Sequence, residues 1–418
     1  MKVGTSRFEI TPQVGVQLCG FVSRDQPSTG VRDPLFARCV YLEDSDSRLL
    51  WVHADAFGFE SQFVDRLKGR LRALSGVASH EIVVTASHTH CGPPTMPMNG
   101  CGEIGPREES YLRALESVLV EAGQAAMVRL DQCAVQFGES TCGIARDRRG
   151  GPQGQVDRRV AAVSFVNPEG RTAAVLANYA VHPASLGPGC RQISGDLFGL
   201  ACLQLEGSQN GGSRVVLANG ACGNLDPPAV GMSYEEAEDL ALELSVSVSA
   251  AVEDSVPVAP ALGSAEARLK VGVQSLSAED ARRRAALVKA DAGMQDQAWT
   301  LRAIEAVERW ERTMKGPPAP PEHLDLRLQA IRIGPLRLAC FGSEVFSSMS
   351  GMLCKATGER VAVVGYANGN IGYLAPEAAY DEGGYEVDSA FVYYNSPPIL
   401  RGSFEVARDE MVRLISCL

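Results

Sequence analysis

The sequence predicts an α/β fold in which mixed β-sheets are flanked by helices, within one large domain that carries a helical insertion. Short runs rich in β-branched residues come in pairs separated by turn residues, and helical spacings follow several of these pairs. One long, highly charged helical pattern lies late in the chain. With 418 residues, the chain is long enough to bury one large core.

Composition narrows the class of protein. The formal net charge of −11 argues against a general nucleic-acid binder, which usually has a basic surface. No run of about 18 apolar residues occurs, and the first ten residues lack the apolar core of a signal peptide. The twelve cysteines are scattered without CxxC pairs, as is typical of reduced thiols. We therefore expect a cytoplasmic protein without membrane insertion, whose oligomeric state the sequence leaves open.

The first elements of the chain are a strand, a hairpin and a helix. Residues 8–20 predict a strand and a glycine-rich entry loop, and residues 39–54 predict a hairpin around a polar turn. The hairpin's second strand ends near His53, which is either a site residue or a satisfied core histidine. Residues 63–74 have helical spacing and lead into the next apolar run.

That apolar run, residues 83–86, ends in the sequence His-Thr-His at His88 and His90. Side chains alternate along a strand with period two, so an H-x-H pair at a strand end points both imidazoles to one face. One metal ion could lie between them. The alternative is that each histidine caps or hydrogen-bonds a loop.

An arginine-rich turn follows a second amphipathic helix at residues 111–130 and a strand at residues 133–137. It contains Arg146, Arg148 and Arg149. Such a run is usually solvated. An arginine buried there would be a donor to an anion or oxyanion, because guanidinium presents a rigid fork of N–H groups.

Two further strands end at candidate site residues. A hairpin over residues 160–181 runs directly into His182, and the apolar run at residues 215–218 ends in a glycine-rich segment that contains Asp226. Small residues in such a segment let backbone approach a ligand closely, although glycine-rich turns also occur for purely steric reasons.

The last part of the chain begins with helical patterns at residues 233–254 and 278–314. The second fits a charged insertion at about 275–320, a surface excursion or a cap over the site with a stiff proline-rich return. A hairpin over residues 324–341 then ends near Glu344, which is placed either as a charge at a helix N-terminus or as a metal ligand. A strand at residues 361–366 leads to a tyrosine-rich loop, and no internal sequence repeat is evident.

The strand ends together supply histidines, a glutamate, an arginine and tyrosines, at the positions where open α/β sheets place ligands. Zinc held by two or three nitrogen and oxygen ligands, with one position open, lowers the pKa of bound water to about 7 and polarises a carbonyl. The residues by themselves therefore suggest a metal hydrolase.

The sequence also resembles the neutral (non-lysosomal) ceramidase family, in the N-terminal zinc amidase domain. The resemblance extends over about residues 8–390 and rests on five motifs in the same order. Ser87–Pro93 is similar to the family's THTHSGP segment, and Ala180–Pro183 is similar to its FAVHP segment. Ser194–Asp196 matches the SGD that follows. Phe341–Gly351 is similar to PGEFTTMSG, and Gly372–Glu386 is similar to GYVTTxEEYxxQxYEG.

The resemblance implies a zinc amidase site. It implies that one zinc ion per chain is held by His88, His182, Glu344 and Tyr373. It also implies that the amide is bound or polarised in the transition state by three further residues, where donors aimed at an oxyanion typically contribute a few kcal/mol each. These residues are His90, Arg146 and Tyr385, of which Arg146 rests on a single matching residue.

Two departures from the family affect the expected substrate. Asp226 stands where the family has a serine implicated in catalysis, and a carboxylate there could pair with a cationic amine of the substrate or accept a proton. The chain also ends soon after the tyrosine-rich loop, so we expect no immunoglobulin-like C-terminal domain and no secretion signal. We therefore expect metal-bound water to hydrolyse a small soluble N-acyl amine instead of a long-chain ceramide.

Two other functions remain open. The same metal could support intramolecular acyl transfer or cyclisation, with a substrate amine near Asp226 in place of water. Alternatively, the chain is a non-catalytic ligand-binding relative. Convergence of all four implied zinc residues would count against a pure binding protein, because such a protein does not need an open metal position.

Overall fold

The computed structural model describes residues 1–150, 156–208, 214–274, 297–316 and 319–418, together with three isolated positions between 274 and 297. The strands are, in chain order, β1 (Lys2–Glu9), β2 (Gly30–Val31), β3 (Phe36–Glu43), β4 (Arg48–Ala54), β5 (Ile82–Ala86), β6 (Asp131–Gln132), β7 (Ala134–Thr141), β8 (Arg146–Asp147), β9 (Arg159–Val166), β10 (Thr172–Tyr179), β11 (Gln192–Ile193), β12 (Arg214–Asn219), β13 (Leu225–Asp226), β14 (Val256–Val258), β15 (Leu262–Gly272), β16 (His323–Ile333), β17 (Leu336–Phe341), β18 (Glu344–Val345), β19 (Arg360–Val364) and β20 (Tyr373–Leu374).

The helices lie between these strands and after the last of them. They are α1 (Ser61–Ser75), α2 (Pro106–Ala126), α3 (Asp196–Ser208), α4 (Tyr234–Glu253), α5 (Gln297–Lys315), α6 (Ser348–Thr357), α7 (Glu377–Glu382), α8 (Tyr385–Asp388), α9 (Ala390–Tyr393) and α10 (Ser403–Ile415). A single 3₁₀ turn at Ser79–Glu81 precedes β5. The predicted α/β class with mixed sheets is confirmed. None of the described helices is both long and apolar enough to cross a bilayer.

Three sheets share one connectivity. Their strand orders are β5-β4-β3-β1-β6, β12-β10-β9-β7-β14 and β15-β16-β17-β19. In each sheet three antiparallel strands are followed by a helix, α1, α3 or α6, and the chain then returns as a strand parallel to the third. The hairpin–helix–strand order that the sequence predicts for the first sheet is therefore used three times.

The inner faces of the three sheets form one hydrophobic core. It contains Trp51 from the first sheet, Phe165 from the second and Ile331 from the third, all of them buried. Helices α1 to α4 cover the outer faces of the first two sheets, and α6 and α10 cover the third. Strands β5, β12 and β17 are buried on both faces and read as nearly continuous apolar runs, whereas β7 and β15 alternate between buried and exposed residues.

Local sequence signals set several helix ends. At the start of α4, the Ser233 hydroxyl accepts the backbone N–H of Glu236 at 3.2 Å, and the Glu236 carboxylate accepts the backbone N–H of Ser233 at 2.8 Å. This is a capping box, which satisfies two backbone donors of the first turn. Helix α1 ends at Gly76, whose φ of 71° favours glycine because it has no Cβ.

The carboxyl ends of the parallel strand pairs meet at one place. Backbone bonds join the segments that follow β12 and β19, with Gly365 N–H donating to Asn219 O at 3.0 Å. Asn368 N–H donates to Val84 O of β5 at 2.7 Å, and Gly223 N–H donates to Val345 O at 2.8 Å. The loops that carry the candidate site residues therefore lie together.

The charged insertion is only partly described. Helix α5 covers the later part of the predicted helix, whereas residues 278–296 lie outside the described residues apart from isolated positions. Trp310 of α5 is buried beside Phe391 and donates its indole N–H to Ser396 O at 2.8 Å. This part of the helix packs against the segment that follows the tyrosine-rich loop, and the assignment of about 275–320 as an insertion stays a prediction.

Candidate metal centre and active site

Three buried imidazoles converge where the sheets meet. The Nε2 atom of His90 lies 3.2 Å from Nε2 of His88 and 3.2 Å from Nε2 of His182. Within the described part of the chain, one ligand atom from each of these histidines lies within 4.8 Å of the other two. The three side chains can therefore bind a single metal ion.

His88 reaches this position from a loop. Strand β5 ends at Ala86, two residues before His88, which has a φ of 69°. A positive φ is costly for a residue with a side chain, and here the His88 backbone N–H donates to Ala56 O at 2.8 Å. The two histidines of the H-x-H pair thus converge through a turn and not through strand alternation, which corrects the reason we gave for their convergence.

The orientation of the His88 ring is also fixed. Nδ1 lies 2.6 Å from the carbonyl oxygen of Phe57, which can only accept a hydrogen bond. The proton of a neutral imidazole is therefore on Nδ1, and the Nε2 lone pair points at the other two histidines. Metal-bound histidines commonly have this arrangement.

His90 is held from two sides. Gly20 lies against its ring, so closely that a Cβ at this position would come within 2.4 Å of His90 Cγ. Arg24 donates to the backbone oxygen of His90 at 2.6 Å. The Nδ1 atom of His90 is buried and has no hydrogen-bond partner among the described residues.

The SGD-like segment supports the same loop. Thr89 donates its hydroxyl to the backbone oxygen of Ser194 at 2.8 Å, and the Ser194 backbone N–H donates to Cys91 O at 3.0 Å. The Asp196 carboxylate accepts a hydrogen bond from the Ser185 hydroxyl, three residues after His182. This motif therefore positions the two histidine-bearing segments instead of contacting the metal.

Glu344 completes the cluster of candidate ligands. Its Oε2 atom lies 3.6 Å from His88 Nε2 and 4.0 Å from His182 Nδ1. Helix α6 begins four residues later, and the Glu344 carboxylate is buried beside the imidazoles instead of lying at the helix end. The carboxylate therefore lies beside the candidate histidine ligands, and its role as a metal ligand stays a prediction.

Tyr373 lies next to Glu344. The two residues are register partners in the parallel pair of β18 and β20. The Tyr373 hydroxyl is within hydrogen-bonding reach of the Glu344 carboxylate and accepts a bond from Arg148 Nη2 at 3.2 Å. The structure therefore brings together the four residues for which the resemblance implies zinc binding.

The protonation states of the three histidines suit a divalent cation, whereas Glu344 would give up its proton on binding one. Burial lowers the pKa of His88 to about 3. Burial, followed by the repulsion of neighbouring histidines, holds the pKa values of His90 and His182 well below the usual range. Burial raises the pKa of Glu344 to about 7. Three neutral imidazoles with facing lone pairs and one carboxylate form a donor set typical of zinc, so the residues fit this ion.

Arg148, and not Arg146, lies in the site. The side chain of Arg146 is exposed, and the prediction for this residue is not supported by its position. Arg148 donates to Glu386 Oε1 at 2.8 Å, Asp226 Oδ1 at 3.1 Å and Gly223 O at 2.7 Å, in addition to Tyr373. The structure places Arg148 of the predicted run beside Tyr373, and the sequence alone does not show which arginine points inward.

Tyr385 lies at the mouth of the site. The residue is 44% exposed, and its ring centroid is 5.7 Å from that of Tyr373. An open cavity of about 590 Å³ adjoins it. The cavity is lined by Arg148, Arg149, Glu382, Gly383, Gly384, Tyr385 and Glu386. A substrate entering this cavity would meet Tyr385 and Arg148.

His53 is a core histidine. It is fully buried, and Nδ1 is 2.9 Å from the hydroxyl oxygen of Thr85. Burial lowers its pKa to about 3. It is not part of the imidazole cluster, so of the two alternatives for this residue the structure favours the core position.

Several residues around the site were not singled out from the sequence. Tyr366 ends a predicted strand, so the argument from strand ends could have identified it. Glu386 and Tyr394 lie in and after the tyrosine-rich loop, and Cys222 lies in a glycine-rich segment. Their partners come from distant parts of the chain, which no local pattern indicates.

Comparison with known proteins gives a consistent result. A family model described as neutral/alkaline non-lysosomal ceramidase, N-terminal, matches residues 1–232. The neutral ceramidase of Pseudomonas aeruginosa is 26% identical over 248 residues, which are 54% of this chain and 37% of that protein. The neutral ceramidase of Drosophila melanogaster is 25% identical over 232 residues, which are 50% of this chain and 32% of that protein.

The solved structures extend the likeness of the fold to the whole chain. The crystal structure of neutral ceramidase from Pseudomonas aeruginosa aligns with a TM-score of 0.77 at 19% identity, over 100% of this chain and 74% of that one. A structure described as ceramidase complexed with C2 aligns with a TM-score of 0.76 at 19% identity, over 100% of this chain and 75% of that one. The sequence match itself spans only about a third of the length of the curated relatives.

Proposed function

The chain belongs to the neutral/alkaline non-lysosomal ceramidase family, and from this premise we propose that it is a zinc-dependent amidohydrolase acting on a small soluble N-acyl amine. The observation that carries the proposal is the convergence of His88, His90 and His182 with the Glu344 carboxylate. Tyr373 links this carboxylate to Arg148, which lines an open cavity. A ligand-binding protein without chemistry has no need for this donor set.

His88, His182, Glu344 and Tyr373 would hold the zinc ion, and His90 lies beside them. When bound, it would polarise the amide carbonyl and lower the pKa of a water molecule. The remaining steps, which are binding the substrate and stabilising the developing charge, depend on the protein's own side chains. The imidazoles are neutral at physiological pH, so they are available as ligands without first losing a proton.

Arg148 and Tyr385 supply donors on the cavity side. The Arg148 guanidinium is fixed by Glu386 and Asp226, and it donates to the Tyr373 hydroxyl. Tyr385 is partly exposed and lines the cavity, so its hydroxyl would be a donor to a carbonyl of a substrate bound there. Donors that are fixed before the reaction stabilise a developing oxyanion without a reorganisation cost.

His90 is the remaining candidate for amide binding. Its Nε2 atom faces the other two imidazoles, whereas its Nδ1 atom is buried without a partner. With the Nε2 lone pair directed at the metal site, Nδ1 carries the ring proton, so a substrate or water molecule that accepts a hydrogen bond from Nδ1–H would satisfy this atom. His90 can thus position a reacting group beside the metal or serve as a further ligand.

The cavity lining supports a small, polar substrate. Arg148, Arg149, Glu382 and Glu386 supply charged groups around the space, and they pair with one another. A long alkyl chain placed against them would leave these groups without water and gain little apolar contact. A short acyl group with a polar amine fits better, and this is the substrate class that we propose.

Substrate profiling tests this proposal. The zinc-loaded chain is incubated with N-acyl amines from acetyl to palmitoyl and with a long-chain ceramide in mixed micelles, with and without a chelator, and the products are quantified by mass spectrometry. We expect hydrolysis of the short members, loss of activity with the chelator and recovery with zinc. Preference for ceramide would contradict the proposed substrate, and chelator-insensitive turnover would contradict the metal mechanism.

Isotope labelling separates hydrolysis from acyl transfer. In water enriched in ¹⁸O, hydrolysis places one labelled oxygen in the carboxylate product, because the attacking nucleophile comes from solvent. An intramolecular cyclisation would give an unlabelled product and would refute hydrolysis as the main reaction.

A further inference from the structure

We propose that Tyr366 is a positioning residue that holds both His88 and Glu344 in the geometry required for metal binding. This inference rests on the proposed metal site and adds to it a residue that contacts two of the ligands without being one. Tyr366 is almost fully buried and lies directly after the strand β19 and Gly365.

The ring of Tyr366 fixes the plane of the His88 imidazole. The two rings are stacked, with centroids 4.0 Å apart and an interplanar angle of 16°. Phe57 also contacts the imidazole, with a centroid distance of 4.4 Å. Rotation of the His88 ring would have to displace one of these buried rings, so Nε2 stays directed into the cluster.

The hydroxyl of Tyr366 fixes Glu344. It donates to Oε2 at 3.1 Å, the oxygen that faces His88 and His182, while Tyr394 donates its hydroxyl to Oε1. Oε2 has two lone pairs, so a hydrogen bond from Tyr366 does not by itself prevent this oxygen from binding a cation. Hydrogen bonds of this kind orient a carboxylate ligand and limit how it can bind the metal.

The thiol of Cys222 also contacts the Tyr366 hydroxyl. Cys222 Sγ lies 3.2 Å from the Tyr366 hydroxyl oxygen. Because Tyr366 donates its proton to Glu344, the thiol of Cys222 is the donor in this contact. The hydroxyl is therefore fixed by a donor and an acceptor, both of them buried.

The backbone of Tyr366 connects the segments that carry both ligands. Its N–H donates to the carbonyl of Ser343, the neighbour of Glu344, at 3.2 Å. Its carbonyl accepts the N–H of Ala86, two residues before His88, at 3.3 Å. Its φ is 52°, a conformation that is costly for tyrosine and that persists where the surroundings hold it in place.

The variant Tyr366→Phe tests the hydroxyl alone, because it keeps the ring on His88. Zinc affinity is measured by competition with a chromogenic chelator, and the ligand field is followed by the visible absorption of the cobalt(II)-substituted chain. We expect the zinc dissociation constant to rise about ten- to hundredfold, the cobalt spectrum to change and kcat to fall with KM nearly unchanged. Tyr366→Leu also removes the ring contact, and we expect a larger loss of zinc affinity.

Tyr41→Phe is the matched control. Tyr41 is also buried and also donates to a carboxylate, Glu43 Oε2 at 2.9 Å, but it lies in β3 away from the histidines. We expect it to leave zinc affinity and the cobalt spectrum unchanged. A folded Tyr366→Phe variant with the zinc affinity and cobalt spectrum of the wild type would overturn the inference, whereas a wild-type chain that binds no zinc would overturn the proposed function instead.

Discussion

Arg148 and Asp226 form an ion pair within the candidate site, with 3.1 Å between Nη1 and Oδ1. Asp226 stands where the family has a serine, and the pair gives this carboxylate a defined partner. The two side chains are 21% and 18% exposed, so water only partly screens their attraction. The main role of Asp226 is therefore to orient Arg148. A substrate amine would have to compete with the Arg148 guanidinium for this carboxylate.

Separate replacement of Arg148 and of Arg146 distinguishes the roles of these two residues. Lysine cannot reproduce the planar fork with which Arg148 contacts several acceptors. We expect Arg148→Lys to lower kcat/KM about hundredfold or more, as is usual when a preorganised donor is lost. Arg146→Lys is the control, and we expect kcat/KM within about twofold of the wild type, since exposed substitutions have small effects. The reverse pattern would return the role to Arg146.

The variant Asp226→Asn tests how the carboxylate acts. It keeps the shape of the side chain but removes the charge that holds Arg148. Charge-assisted hydrogen bonds contribute about 1.5–3 kcal/mol when buried, and the partial exposure here reduces this, so we expect kcat/KM to fall about five- to tenfold. The same loss is expected for neutral and cationic substrates. A loss confined to cationic substrates would show instead that Asp226 binds the substrate amine.

The contact between Gly20 and His90 gives a steric prediction. Gly20 has a φ of 104°, and a Cβ would lie 2.4 Å from His90 Cγ. We expect Gly20→Ala to displace His90, to lower kcat/KM strongly and to cost about 1–3 kcal/mol of the free energy of unfolding. Kinetics and urea denaturation measure both effects.

Gly69→Ala is the matched control for this variant. Gly69 lies in α1, and nothing lies within 4 Å of the position of an added Cβ. Alanine in a helix reduces the conformational freedom of the unfolded chain, so we expect the free energy of unfolding to rise by about 0.5–1 kcal/mol, with unchanged kinetics. Equal losses of activity in both variants would contradict the specific role of the Gly20 contact.

The burial of neutral His53 predicts that the folded protein loses part of its stability at acidic pH. Its pKa is about 3 in the folded chain because it is buried, and about 6.5 when unfolded. As the pH falls below about 6.5, only the unfolded chain takes up this proton, so stability is present above this pH and is lost progressively down to about pH 3. From about pH 7 to pH 5, proton uptake by His53 in the unfolded chain lowers the free energy of unfolding by roughly 2 kcal/mol.

The variant His53→Gln isolates this contribution. Denaturant unfolding is measured for the wild type and the variant at both pH values. We expect the difference in free energy of unfolding between the two proteins to shrink by roughly 2 kcal/mol on acidification. A difference that is independent of pH would show that His53 is not buried in its neutral form.

The sequence predicted the elements that carry the site better than it predicted the geometry. Apolar strands that end in His182 and Glu344 were identified because burial on both faces gives continuous apolar runs, and their carboxyl ends meet as in other α/β sheets. His88 was identified from side-chain alternation along a strand, whereas in the structure a turn after β5 directs its ring towards the other histidines. Its positive φ comes from backbone bonds to the segment after β4, and no local pattern reveals such a long-range contact.

The repeated connectivity of the three sheets was not visible in the sequence. Strand and helix patterns need only apolar residues at the correct spacing, so the three units share a topology without similar residues. The sequence could not distinguish Arg146 from Arg148 for the same reason, because the distinction depends on long-range packing. The two arginines are only two positions apart in the sequence, and only the packing of Glu386 and Asp226 against Arg148 decides which of them is partly buried.

Metal analysis of the wild type and of His182→Ala tests the central claim most directly. Both proteins are purified, loaded with zinc and dialysed, and then their zinc content and their turnover of a short N-acyl amine are measured on the same samples. We predict one zinc ion per wild-type chain, and loss of both the metal and the activity in His182→Ala, with circular dichroism confirming that the variant is folded. A folded, metal-free His182→Ala protein with full activity would contradict the account.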